Sequence, residues 1–378
     1  MSRAQTIFLY TDELERFRYP ESNPLNTSRA GKTRAIVRSL GLLPGQDVSE
    51  LAFEPAGRNV LERFHTRRYL DALQAAAGGR RDAEGFQMGL GTPDCPVFPD
   101  MYRYPALAAG GTVAGAELLA TGAARIAFNP SGGYHHAGPE TAAGFCYIND
   151  VVLGCMRLVD AGMRVLFLDI DVHHGDGVQA AFYDRRDVMT ISLHESGKHL
   201  FPGTGFEHEI GEGDGKGYSV NVPLPVGTYD EAYVRAFRQV AIPLARAYQP
   251  DVVVLEAGMD GLAGDPLAHL RLTNNAHADV AELILGLDRP LLVTGGGGYH
   301  VENTVRGWAL VWSVLCGRGT DSDALLGLGG VMMESTEWLG GLRDRALVIH
   351  ADERAAVDSE LARTVETLKR TVFPIHGL

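Results

Sequence analysis

Between Leu168 and Asp176 the chain gathers side chains that hold metals or protons, among them Asp169, Asp171, His173 and Asp176. They follow an apolar run, Arg164 to Phe167, that reads as a buried β-strand. Along an extended chain, alternation sends Asp169, Asp171 and His173 to one face. Two hard oxygens and an imidazole nitrogen at a strand end point to a metal site. Asp260 follows the apolar strand Val252–Leu255 and offers a third ligand beside Asp171 and His173. A single Asp after a strand serves equally well as a helix cap. Three protein ligands with an open position describe a catalytic zinc, whereas a structural zinc is closed by four.

A second group, Ser131-Gly132-Gly133-Tyr134-His135-His136, follows the candidate strand Arg125–Asn129. Imidazole is the side chain whose proton moves near neutral pH. A carboxylate behind such a ring fixes its tautomer and raises its basicity. Asp169 and Asp176 are spare for that task, so two His–Asp pairs are expected, one on each side of a metal water. A third group, Thr294 to Tyr299, contains four consecutive glycines. No Lys-Ser/Thr follows them, so a phosphate loop is excluded. The glycines instead let the backbone pass close to something and present Tyr299, whose phenol is a donor suited to an oxyanion. Gly144-Phe145 and Leu200-Phe201 each place an aromatic ring in a loop, and two facing rings make a slot for a lysine stem.

The elements that must position these groups alternate along the chain. Candidate strands are 6–10, 125–129, 164–169, 188–193, 218–222, 251–257 and 290–294. Candidate helices are 29–40, 68–77, 104–121, 148–161, 177–183, 229–248, 274–287, 302–316 and 353–371. Such alternation predicts an α/β fold with a mostly parallel central sheet and helices on both faces. Ligands in these sheets bind beyond the carboxyl ends of the strands, where every polar motif above lies. Gly85–Pro99 and Gly203–Gly217 read as long functional loops. Asp321 to Arg345 is irregular and receives no assignment, and the last helix is expected to pack on the outside.

The 378 residues are 45% hydrophobic and 21% charged, enough for a large core. A formal net charge of −13 argues against nucleic acid as a direct partner and suits a cationic substrate. No apolar run is long enough to span a bilayer, and Met1 to Tyr10 lacks the marks of a signal peptide. Cys95, Cys146, Cys155 and Cys316 sit at no metal-ligand spacing and read as reduced thiols of a cytoplasmic protein.

Taken as a set, six motifs carry a resemblance: Gly132 to His136, Gly144 to Asp150, Asp169 to Gly177, Phe201 to Gly205, Gly258 to Leu267, and Gly295 to Tyr299. The chain resembles the zinc-dependent histone deacetylase family, which includes bacterial acetoin-utilisation proteins and acetylpolyamine amidohydrolases. The likeness runs from about Asn23 to Cys316, with residues 317–378 expected to pack on that core as part of one domain. It implies the single-domain arginase/deacetylase fold and one zinc per chain on Asp171, His173 and Asp260. It implies His136 as general base and acid, oriented by Asp176, with His135 and Asp169 as the electrostatic pair and Tyr299 holding the oxyanion. It implies potassium on Asp169, Asp171, His173, Ser192 and Leu193. It also implies substrate contacts from Asp94, Gly144, Phe145, Phe201 and Leu267, and an acetate channel lined by Arg29. The implied substrate is an N-ε-acyl-lysine in a protein or peptide, and the short chain favours a bacterial cytoplasm.

Three other readings stay open. One is an acetylpolyamine amidohydrolase; Leu267, at a rim position where selective members carry Glu, disfavours it. Another is a binuclear manganese ureohydrolase, for which Asp260 and Asp265 are spaced too far apart. The third is a silent acyl-lysine binding module, which the complete zinc, His–Asp and Tyr set argues against.

Overall fold

The computed structural model describes residues 5–318 and 341–378. Eight strands form one sheet: β1 (Gln5–Leu9), β2 (Val48–Leu51), β3 (Ala124–Asn129), β4 (Val165–Asp169), β5 (Val188–Glu195), β6 (Ser219–Leu224), β7 (Val252–Glu256) and β8 (Leu291–Thr294). Their order is β2-β1-β3-β8-β7-β4-β5-β6, and every pairing between them is parallel. The predicted mostly parallel sheet is therefore parallel throughout. Strands β4, β5, β6, β7 and β8 are buried along their whole length. Such strands need apolar side chains on both faces, which is why they read as continuous runs of Val, Leu and Ile.

Helices cover the sheet in two groups. Arg103–Ala120, Asp150–Asp160 and Asp176–Phe182 pack in succession against one another. Arg29–Ser39, Val301–Leu315, Asn274–Leu285 and Asp230–Tyr248 form a second succession, and Ala351–Thr371 closes it against Asp230–Tyr248 and β6.

The candidate strands and helices all exist, with ends moved by one or two residues in most cases. β5 and β6 each run two residues further than predicted because they pair with each other up to Glu195 and Leu224. β2 was not anticipated. Gly85 lies in a single-turn helix, Ala83–Gln87, so the loop read from Gly85 begins only after it. A second single-turn helix, Arg58–Leu61, also escaped the reading. Of the unassigned segment Asp321–Arg345, residues 321–340 lie outside the described residues.

Candidate active site

The four central strands β3, β8, β7 and β4 end side by side. Their register sets Asn129, Thr294, Glu256 and Asp169 in one row at the carboxyl edge. The loops leaving that row carry His135 and His136, Tyr299, Asp260, and Asp171 with His173. Distant sequence positions converge because adjacent parallel strands deliver their outgoing loops to the same place.

Strand alternation is not what groups the β4 ligands. β4 stops at Asp169, and the following backbone is tied down by carboxylates. Asp169 Oδ1 accepts from the Asp171 N–H at 3.1 Å, and Asp171 Oδ1 accepts from the His173 N–H at 2.8 Å. Asp260 Oδ1 accepts from the Val172 N–H at 2.9 Å. These bonds turn Asp171 and His173 toward Asp260, while Asp169 turns toward His135.

Asp171, His173 and Asp260 are all buried, with one ligand atom from each lying within 4.8 Å of the others. His173 Nδ1 stands 3.2 Å from Asp171 Oδ1 and 3.0 Å from Asp260 Oδ2. Burial opposes a charged His173, but the bonds to Asp171 and Asp260 outweigh it and push the imidazole up to about 10. Burial and the Asp171 charge push Asp260 up to about 7. A buried trio that draws in a proton this strongly is a trio built for a cation. The glycines around it agree. A Cβ on Gly258 would stand 2.1 Å from Asp171 Oδ2, and one on Gly297 would stand 1.9 Å from Asp260 Oδ2. Only glycine leaves the carboxylates room at either place. One imidazole nitrogen and two carboxylate oxygens, with space opposite, suit zinc.

Two imidazoles flank this trio. His135 Nδ1 is 2.9 Å from Asp169 Oδ2, and His136 Nδ1 is 2.7 Å from Asp176 Oδ1, so both predicted pairs are formed. Their Nε2 atoms face each other at 3.0 Å. One of the two must donate. Burial and the nearby His135 charge push His136 down to about 4. Burial would lower His135 too, but the charges of Glu256, Asp169 and Asp171 hold it well above its ordinary value. The surrounding charges thus favour His135 as the donor of that bond.

Tyr299 lines the same narrow cavity as His135, His136, Asp171 and His173. Its ring stands 6.4 Å from that of His173 and 5.6 Å from that of Phe145. Asp265 Oδ2 accepts the Tyr299 backbone N–H at 2.7 Å and so fixes the end of the glycine run. Asp265 holds this loop; it stands outside the metal-ligating clusters found among the described residues. The Phe201 ring is 5.0 Å from that of His136 and 45% exposed, which places it at the mouth. A Cβ on Gly144 would press on both His136 and Phe201.

Asp94, Phe201 and Leu267 do not line the inner cavity. Asp94 Oδ2 accepts the Gly144 N–H at 3.1 Å, joining two rim loops. The Leu267 N–H donates to Asp265 Oδ1 at 3.0 Å, so Leu267 rides on the loop that also anchors Tyr299. Arg29 donates from Nη1 to the Gly298 carbonyl at 2.7 Å and lies over the Trp308 ring. Of the residues expected to hold potassium, Asp169 and Ser192 are cross-strand neighbours in the β4–β5 ladder, and Leu193 comes next in β5. The Ser192 hydroxyl pairs with His194 Nδ1 at 2.7 Å.

Sequence reasoning missed three residues. Asp150 holds the histidine loop by accepting from the Gly133 and Tyr134 N–H groups. The Asn149 amide donates to the His135 and Ala137 carbonyls. Glu256, buried at the end of β7, brings Oε1 to 3.2 Å from His135 Nδ1. The available signal was an acid closing the apolar run Val252 to Leu255, which only the strand order connects to His135.

Residues 23–315 match the family described as the histone deacetylase domain. The chain is 39% identical to histone deacetylase 8 of Xenopus tropicalis over 297 residues, 78% of this chain and 80% of that protein. It is 36% identical to histone deacetylase RPD3 of Saccharomyces cerevisiae over 326 residues, 85% of this chain and 74% of that one. The match to histone deacetylase 3 of Oryza sativa subsp. japonica is 38% identical over 320 residues, 83% of this chain but 62% of the rice protein's length. Among solved structures, an HDAC homolog complexed with SAHA superposes with a TM-score of 0.87 at 31% identity, covering 97% of this chain and all of that one. An HDAC homolog from Aquifex aeolicus gives a TM-score of 0.85 at the same identity.

Proposed function

The chain belongs to the histone deacetylase family, and from that premise we propose that it hydrolyses the amide of an N-ε-acyl-lysine in a protein or peptide, releasing lysine and a carboxylate. The observation that carries the reading is one cavity lined by an Asp–His metal cluster, two carboxylate-backed imidazoles and a phenol. Asp171, His173 and Asp260 would hold zinc, which when bound polarises a carbonyl and acidifies water.

The remaining steps belong to the protein's own groups. Asp176 accepts the Nδ1–H of His136, which leaves Nε2 as the basic nitrogen. His136 Nε2 takes the proton of the attacking water. The same nitrogen then returns it to the departing lysine amine, since an amide anion does not leave at neutral pH. His135, backed by Asp169, supplies positive charge beside the reacting carbonyl. Burial keeps the Tyr299 phenol protonated, so its O–H is free to donate to the developing oxyanion. Phe145 in the cavity wall and Phe201 at its mouth accept the lysine methylenes.

The test is a panel of acetyl- and longer acyl-lysine peptides and acetylputrescine, assayed with zinc and with a hydroxamate chelator. Zinc-dependent release of acetate from the lysine peptides, blocked by the chelator, is expected. Hydrolysis of acetylputrescine alone would transfer the function to polyamines, and tight peptide binding without acetate release would make the chain a binding module. Tyr299→Phe should retain zinc and lose roughly 10²–10³ in kcat, the usual effect of removing one oxyanion donor. Equal turnover in both forms would remove Tyr299 from the chemistry.

A further inference from the structure

Glu256 stands out because nothing about packing accounts for it. It ends a strand whose preceding residues, Val252 to Leu255, are all apolar and buried, and it is itself fully buried. Neither carboxylate oxygen receives a hydrogen bond among the described residues. Burying a carboxylate without a donor is costly, so a strand selected for stability alone would carry an apolar residue here. The side chain does reach one polar group: Oε1 lies 3.2 Å from His135 Nδ1. Asp169 Oδ2 lies 2.9 Å from the same nitrogen, and the β4–β7 register makes Asp169 and Glu256 direct neighbours. One hydrogen-bonded carboxylate and one ion-pairing carboxylate thus flank one edge of one ring. Asp169 is also committed elsewhere, since its Oδ1 accepts from the Asp171 N–H and holds the metal loop. Glu256 has no such second task.

We propose that Glu256 is a positioning residue of this site: its Oε1, an ion-pair contact 3.2 Å from His135 Nδ1, works with the Asp169 hydrogen bond to fix the tilt of the ring that brings Nε2 to 3.0 Å from His136. The inference deepens the functional reading above and rests on it for its kinetic consequence. Without Glu256, the Nδ1 edge of the ring would be held by the Asp169 bond alone and could pivot about it. Glu256 removes that pivot, and so keeps the His135 charge aimed at the carbonyl. Small displacements of a catalytic ring are expensive in rate.

The experiment compares Glu256→Gln, which keeps an acceptor oxygen in the same place, with Glu256→Met, which keeps length but no acceptor. Glu256→Met should lower kcat about 10–100-fold, as loss of a group supporting a functional side chain usually does. Its KM for an acetyl-lysine peptide, its zinc content and its melting temperature should not fall. Glu256→Gln should recover kcat to within a few-fold of wild type. Protein labelled with 15N-histidine gives a readout that needs no turnover. The His135 Nδ1–H resonance, assigned with a His135→Gln variant, should move or vanish in Glu256→Met and persist in Glu256→Gln. If wild type releases no acetate while these spectra behave as stated, the functional reading fails and the positioning role stands. Unchanged kcat and spectrum in Glu256→Met, or equal loss in both variants, would overturn the role. So would a fall in melting temperature without loss of kcat. Should Glu256→Met not fold, Glu256→Ala is read by the same criteria.

Discussion

At the scale of single residues, the site is governed as much by side chains that are absent as by those present. Gly297 donates its N–H to Asp171 Oδ2 at 2.6 Å, and an added Cβ would meet Asp260 Oδ2 at 1.9 Å and Asp171 Oδ2 at 2.9 Å. Its backbone lies outside the left-handed region, so alanine meets no conformational penalty there, unlike at Gly298 with φ +128°. Gly297→Ala therefore acts on the carboxylates alone. The zinc affinity, measured by chelator competition, is expected to fall by roughly 10–100-fold, the range seen when groups supporting metal ligands are disturbed. An unchanged affinity would show that Asp171 and Asp260 do not need the space this glycine leaves them.

At the scale of elements, the sheet's edge decides what each loop reaches, and helices are pressed onto neighbouring loop backbone closely enough to need glycine. Gly110 lies inside the helix Arg103–Ala120, where a Cβ would stand 1.9 Å from the Glu54 carbonyl oxygen and 2.9 Å from the Ala56 nitrogen. Alanine in a helix interior is worth about 1 kcal/mol over glycine. Overpacking against immovable backbone costs about 1–3 kcal/mol, so the clash wins. Gly110→Ala should be less stable than wild type by up to about 2 kcal/mol, read from the denaturant midpoint at constant slope. Greater stability would mean that the 54–56 segment yields freely. The same scale explains what could be read in advance. Buried parallel strands such as Val252–Glu256 announce themselves because both faces are apolar. β2, only Val48–Leu51 and nowhere fully buried, has no such run and is a strand only because β1 pairs with it. Likewise Asp171, His173, Asp260, His135 and His136 were legible from residue type and local spacing. Glu256 was not, because its meaning comes from the neighbour across the sheet, and strand order is not written in local pattern.

At the scale of the whole molecule, acid should loosen the fold through buried histidines outside the metal trio. His65 is buried, and its Nε2 accepts the N–H of Asn149 at 3.0 Å, the residue whose amide also holds the His135 loop. Burial pushes this imidazole down to about 4. Burial likewise pushes His277 down to about 4, although Nε2 of that ring donates to the Gly258 carbonyl at 2.9 Å. In the unfolded chain both return to about 6.5. A folded value below the unfolded one means that the unfolded state binds more protons between the two. The stability these groups contribute is therefore complete above pH 6.5 and is lost as pH falls through about 4. Each such proton tilts unfolding free energy by about 1.4 kcal/mol per pH unit within that window. His65→Gln keeps an acceptor for the Asn149 N–H but takes up no proton. Denaturant unfolding across this range should thus show a slope shallower by nearly one proton in His65→Gln, with little change near pH 8. Parallel curves for the two proteins would mean that His65 is protonated as readily folded as unfolded, and that the strut between residues 61–65 and the histidine loop opens before the rest of the molecule does.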